Sequence, residues 1–88
     1  MLVEFLSKFS KDIDHINQKT VKSNLFKLII LFESEENLNN IPNLKKLRGH
    51  KSAYRARLGD YRVGFFYEPH KISLARFVHR KDIYKVFP

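Results

Sequence analysis

Residues 47–84 read LRGHKSAYRARLGDYRVGFFYEPHKISLARFVHRKDIY, and the fold is decided there. Two β-patterned runs, 53–58 and 61–67, meet at Gly59-Asp60, and a third, 72–78, follows Glu68-Pro69-His70. Gly-Asp is an acceptable two-residue hairpin loop, because Gly59 supplies the positive φ of a type II′ turn. In the first run Tyr54, Ala56 and Leu58 alternate with Arg55 and Arg57. Alternation sets both arginines on one face of the strand, roughly 7 Å apart. A sheet face studded with guanidinium groups is not the hydrophobic side and is suited to holding phosphate. By the same parity Tyr61, Val63, Phe65 and Tyr67 share the face opposite Arg62. They read as core, with base stacking as the alternative use of the tyrosines.

The charge distribution agrees with that asymmetry. Residues 1–40 carry five lysines against six acids, a net of −1, and residues 41–88 carry twelve Lys/Arg against three acids, a net of +9. No acid occurs between Ile41 and Leu58. Charge confined to one half points to a polyanionic partner, although a basic face kept for solubility would produce the same count.

Upstream, residues 2–6 alternate weakly and predict a short strand. Ser7 or Ser10 can cap a helix running to about Ile16, with Phe9, Ile13 and Ile16 at helical spacing. Thr20 fits the cap of a second helix whose apolar stripe is Val21, Leu25, Leu28, Ile29 and Phe32. Glu33–Glu36 end it awkwardly, since acids are unfavourable at the negative end of the macrodipole. Residues 37–52, interrupted by Pro42 and Gly49, read as irregular. Residues 79–84 fit one helical turn. The expected fold is α+β in the order β-α-α-β-β-β. A helical hairpin packs on one face of a mostly antiparallel twisted sheet, and the other face is basic.

Eighty-eight residues suit one domain spanning 1–88, with a modest core drawn from eight Phe, four Tyr and the aliphatics. The absence of cysteine excludes thiol catalysis, disulfides and Cys-based zinc sites and suits a reducing cytoplasm. The start of the chain shows no signal-peptide pattern. The longest apolar block, Leu28–Phe32, is far too short to span a bilayer, so no membrane association is expected. His15, His50, His70 and His79 lack metal-ligand spacing, and the three glycines form no phosphate loop, so neither metal nor cofactor is expected. His15 reads as structural and His70 as a solvated turn residue. His79, Arg80 and Tyr84 form a sharper group at the end of the last strand. A histidine can move protons near neutrality, an arginine can neutralise a phosphorane, and a tyrosine can stack or donate.

Taken in order, Lys46-Leu47-Arg48-Gly49, then Tyr54-Arg55-x-Arg57-Leu58-Gly59-x-Tyr61-Arg62-Val63, then His79-Arg80-x-x-Ile83-Tyr84, the chain resembles the RelE/ParE toxin superfamily of type II toxin–antitoxin systems. The resemblance covers essentially the whole chain and is strongest over 46–84. It implies a toxin neutralised by a cognate antitoxin, a monomer when free and a hetero-oligomer with that partner. In the RelE-like branch it implies a metal-independent endoribonuclease that enters the ribosomal A site and cuts mRNA. There the 2′-OH attacks the adjacent phosphate and leaves a cyclic phosphate and a 5′-OH. Carried over position by position, Arg57, Arg62, His79, Arg80 and Tyr84 become the candidate catalytic residues. Arg62 and Arg80 would stabilise phosphate charge, His79 would donate a proton, and Tyr84 would orient or stack on a base. Lys46, Arg48, His50, Lys51, Arg55 and Arg76 become candidate RNA-binding residues. The chain departs from RelE in carrying Arg55 and Arg57 where RelE has lysines. Arginine stays protonated, so the base falls to His79, Lys51 or His50, or else catalysis leans on electrostatics. A ParE-like gyrase inhibitor on the same fold, and a non-catalytic RNA- or ribosome-binding module, are the alternatives.

Overall fold

A computed structural model describes residues 1–88. In chain order the elements are β1 (Leu2–Phe5), α1 (Ser7–Asp14), α2 (Lys19–Ser34), β2 (Leu44–Lys46), β3 (Ala53–Leu58), β4 (Tyr61–Glu68), β5 (Lys71–His79) and α3 (Ile83–Val86). The strands form one sheet in the order β1-β5-β4-β3-β2, antiparallel throughout except for the parallel pair β1 and β5. This is the expected α+β plan with one added strand.

The hairpin of β3 and β4 turns at Gly59, whose φ of +61° favours a residue without a side chain, while Asp60 keeps a negative φ. Its register sets Arg57 opposite Arg62 and Arg55 opposite Gly64. The second hairpin, β4 to β5, turns at His70 with φ +67°. Between Gly64 and Phe65 the pairing with β5 slips, because Gly64 faces Arg76 while Phe65 faces Leu74, leaving Ala75 as a bulge. A bulge resets the alternation of every residue beyond it.

Both helices and Ile16 in the connection between them bury apolar side chains on one sheet face. Phe9, Ile16, Leu25, Leu28, Ile29 and Phe32 meet Ala56, Val63, Phe65, Ile72, Leu74 and Phe77. Each large side chain so buried contributes about 1.5–3 kcal/mol against remaining in water. Tyr54, Tyr61 and Tyr67 pack against this cluster, which makes them core residues as their parity implied. No helix is long and apolar enough to cross a membrane.

Five features depart from the expectations, the first being α1, which has Leu6 rather than Ser7 or Ser10 at the cap position, without a side-chain cap bond, and ends at Asp14 rather than Ile16. The second helix starts at Lys19, with Gln18 rather than Thr20 at the cap position and no side-chain cap bond. Its first intrahelical contact is already made by the Lys22 N–H to the Gln18 carbonyl at 3.2 Å. Its acidic end is satisfied by the Met1 ammonium, which donates to the carbonyls of Phe32, Glu33 and Glu35 at 3.1, 3.1 and 2.8 Å. A cation at that end offsets both the negative pole of the macrodipole and the glutamates beside it. Residues 44–46 form an edge strand too short to show a period. The last helical turn lies at 83–86, not 79–84, and with Phe87 it covers part of the second sheet face, where Ala53, Ala75, Ile83 and Phe87 make a small second core. The arginines occupy the remainder of that face.

Candidate nucleic-acid interface

The uncovered part of the second face is a shallow cavity of about 410 Å³ lined by Asn43, Lys45, Arg55, Arg57 and Arg62. Each cation is aimed by local structure. Alternation in β3 directs Arg55 and Arg57 outward, and the Lys45–Arg55 register brings Lys45 beside them. Asn43, at φ +65°, accepts from Arg57 twice: its carbonyl oxygen from the backbone N–H and its Oδ1 from Nη2, both at 3.0 Å. Arg62 donates through Nη1 to the carbonyls of Gly59 and Tyr61, each at 2.8 Å, which ties its guanidinium to the hairpin turn.

No carboxylate lines this cavity. Partial burial, then the charges of Arg55, Arg57 and Arg80, lower the pKa of Arg62 from its ordinary value, with only Tyr84 acting the other way. Arginine remains charged through such a shift, so the cluster holds like charges without a counterion of its own. An incoming phosphate relieves that repulsion.

Tyr84 stands on α3 at the rim, with the Arg55 guanidinium carbon 4.7 Å from its ring centroid. The Arg55 guanidinium beside it, with smaller help from Lys45 and Arg62, holds the phenol below its ordinary pKa against an opposing desolvation. The side chain is 74% exposed, so both ring face and hydroxyl are open to a ligand. Arg80 is also exposed. Its backbone N–H donates to the Asp60 carbonyl at 2.8 Å, and its Nε lies 4.0 Å from Asp60 Oδ1.

The structure thus brings Arg55, Arg57, Arg62 and Tyr84 together, with Arg80 close enough to repel Arg62. Other sequence candidates lie elsewhere. His79 pairs in register with Tyr61, its ring 5.8 Å from the tyrosine ring, and it lines a different cavity with Gln18, Thr20 and Asn24. Its Nδ1 accepts the Lys81 N–H at 3.2 Å. Strand parity, which chain proximity to Arg80 concealed, sends it to the helical side of the sheet. Arg76, expected as a nucleic-acid contact, is paired with a carboxylate at the sheet edge. Its Nε and Nη2 bond Asp12 Oδ2 and Oδ1 at 2.8 and 3.0 Å, and the same Oδ2 accepts the Phe77 N–H at 2.8 Å. Hydrogen bonding to Asp12 raises the Arg76 pKa, with partial burial opposing it. The reason is topological: β1 stops opposite Leu74, and Asp12 from α1 satisfies the β5 edge beyond it. Lys46, Arg48, His50 and Lys51 line a separate open cavity along the 46–51 loop. Lys45 and Asn43 are additions, hidden because the edge strand that holds Lys45 and follows Asn43 has three residues.

A five-stranded sheet with a helical hairpin on one face is a fold shared with toxins solved in toxin–antitoxin complexes. No family model matches the chain. The structure superposes on the RelB–RelE antitoxin–toxin complex from Methanococcus jannaschii with a TM-score of 0.82 at 30% identity, covering 97% of this chain and 99% of that one. The archaeal RelE–RelB complex from Pyrococcus horikoshii gives 0.71 at 24% identity, covering 90% and 93%. In sequence, the toxin RelE3 of Methanocaldococcus jannaschii is 38% identical over 92 positions, spanning 100% of both chains. The chain belongs to the RelE toxin family.

Proposed function

We propose that this RelE-family toxin is a ribosome-dependent mRNA endonuclease, a single domain kept inactive by a cognate antitoxin. The observation that carries the reading is the acid-free cavity of Lys45, Arg55, Arg57 and Arg62 with the exposed Tyr84 phenol against Arg55 at its rim. The 2′-oxygen of one nucleotide bonds to the adjacent phosphorus as the P–O5′ bond breaks, leaving a cyclic phosphate and a 5′-OH. Charge gathers on the non-bridging oxygens, where pre-aimed guanidinium groups stabilise it. Arg62 is suited to that role because its fork is fixed by two carbonyls. Arg55, Arg57 and Arg80 hold the flanking phosphates.

The proton of the 2′-OH needs an acceptor that arginine cannot be. Tyr84, drawn toward phenolate by Arg55, takes the proton-transfer role expected of His79, which lies on the other side of the sheet. Lys45 is the other titratable side chain in the cavity and faces the leaving oxygen's need for a proton. His50 and Lys51 line the other cavity and hold backbone phosphates.

The test is to incubate purified toxin with programmed ribosomes and map the mRNA ends, assaying gyrase supercoiling in parallel. New ends carrying 5′-OH and cyclic phosphate are expected, with supercoiling unaffected. Intact mRNA with inhibited gyrase would replace this reading with the gyrase-inhibitor one. Ribosome binding without either effect would leave a non-catalytic binding module.

A further inference from the structure

β4 is a central strand, and a glycine within it weakens the strand unless something requires the missing side chain. Gly64 is buried and has no left-handed φ, so its backbone would accept alanine. The requirement is steric. A Cβ on Gly64 would stand 2.5 Å from Cγ of Phe87, 2.6 Å from Cδ2 and 2.9 Å from Cδ1. The Phe87 ring occupies the space a side chain would take, beside Phe66 at a centroid separation of 5.2 Å. Ala53 and Ala75, small residues on the flanking strands, complete the seat, and Ile83 is buried against the same cluster.

Ile83 and Phe87 are four residues apart, so one helical turn lays both on the sheet. Tyr84 lies between these anchors and is itself 74% exposed. Burial therefore does not place it; its neighbours in the chain do. Gly64 is also the register partner of Arg55, the residue that holds the phenol. Seat and phenol contact are thus adjacent on one row of the sheet.

We propose that Gly64 and Phe87 are positioning residues that seat the 83–87 segment and so set Tyr84 against Arg55 at the arginine cavity. The activity arm of this proposal rests on the ribonuclease reading; the positional arm does not. In the full chain, Gly64→Ala displaces Phe87 while leaving the helical-side core untouched. Cleavage on programmed ribosomes falls about 100-fold in rate at saturating substrate, the usual consequence of a misplacement near 1 Å. The Gly64→Ala/Tyr84→Phe double variant is no slower than Tyr84→Phe alone, because both changes remove one contribution.

The position is read without any cleavage. The phenolate absorbance of Tyr84, isolated by subtracting Tyr84→Phe, reports the influence of the facing groups Arg55, Lys45 and Arg62. In the wild type it titrates below the ordinary tyrosine value, and in Gly64→Ala it moves back up toward that value. Phe87→Ala, which removes the anchor without adding bulk, gives the same shift should Gly64→Ala fail to fold. An unchanged Tyr84 titration in the folded variant overturns the proposal, whatever happens to cleavage. If the wild type cuts no RNA yet the titration shifts, the seat stands and the ribonuclease reading alone fails.

Discussion

The two faces of one sheet obey different rules. On the helical face Phe9, Phe32, Phe65 and Phe77 are fully enclosed, with Phe32 and Phe65 rings 5.0 Å apart. On the other face Arg55, Arg57 and Arg62 crowd together without a carboxylate. The first arrangement stabilises the fold by removing apolar surface from water. The second is unfavourable in isolation and becomes favourable when an anion arrives. Residues that fold the chain and residues that serve it are thereby separated by the thickness of one sheet. Changes on one face should leave the other's property nearly intact.

The largest effect is expected from Phe65→Ala, which opens a cavity beneath α2 and should cost about 3–5 kcal/mol of stability. Chemical denaturation measures it, and a loss below 1 kcal/mol would mean that the core does not lie where the enclosed rings place it. Tyr84→Phe comes next, with fold retained and cleavage reduced about 100-fold, the lower end for a proton-transfer group. The sign of its pH dependence follows from the lowered phenol pKa. Cleavage should rise with pH along a limb set below 10.0, the ordinary value, as phenolate forms. Tyr84→Phe should flatten that limb, and a limb that survives the substitution would assign it to another group.

The division between faces has an intended exception at the sheet edge. Asp12→Ala strips Arg76 and the Phe77 N–H of their shared acceptor, where the two side chains are only 20% and 13% exposed. A loss of about 2 kcal/mol is expected, the range for hydrogen bonds to charged groups. RNA affinity should stay the same despite the basic partner, and weakened RNA binding would return Arg76 to the interface. The smallest effect belongs to the α2 terminus. Extending the chain before Met1 removes the ammonium from the helix end and should lower stability by about 0.3–1 kcal/mol, measurable as a small shift in thermal midpoint. No shift would show that the contact adds nothing.

Much of this division was legible in the sequence. Alternation in 53–58 and 61–67 located the arginine face and the tyrosine core, and Gly59-Asp60 marked the turn. The helical stripes announced the packed face. The features without a sequence signature lack one for physical causes. Three residues cannot display a period, so the edge strand bearing Lys45 was invisible. The bulge at Ala75 leaves no composition signal, yet it decides which way Arg76 points. His79 was grouped with Arg80 by nearness in the chain, although the strand register that opposes it to Tyr61 separates the two. The spacing of Ile83 and Phe87 was available as a hint that the chain's end packs down, but two residues make a weak pattern. Glu33–Glu36 were recognised as a misfit, and the group that answers them is more than thirty positions away.

The central claim is that the arginine face serves chemistry and not folding, and Arg62→Ala tests it most directly. Toxin freed from its antitoxin is compared with the variant in single-turnover cleavage of mRNA on programmed ribosomes, on samples whose thermal midpoints have been recorded. The wild type should cut. The variant should cut about 100- to 1,000-fold more slowly, as for loss of one pre-aimed donor to a developing charge, with its midpoint unchanged or slightly raised. Cleavage at the wild-type rate by a folded Arg62→Ala chain would contradict the account.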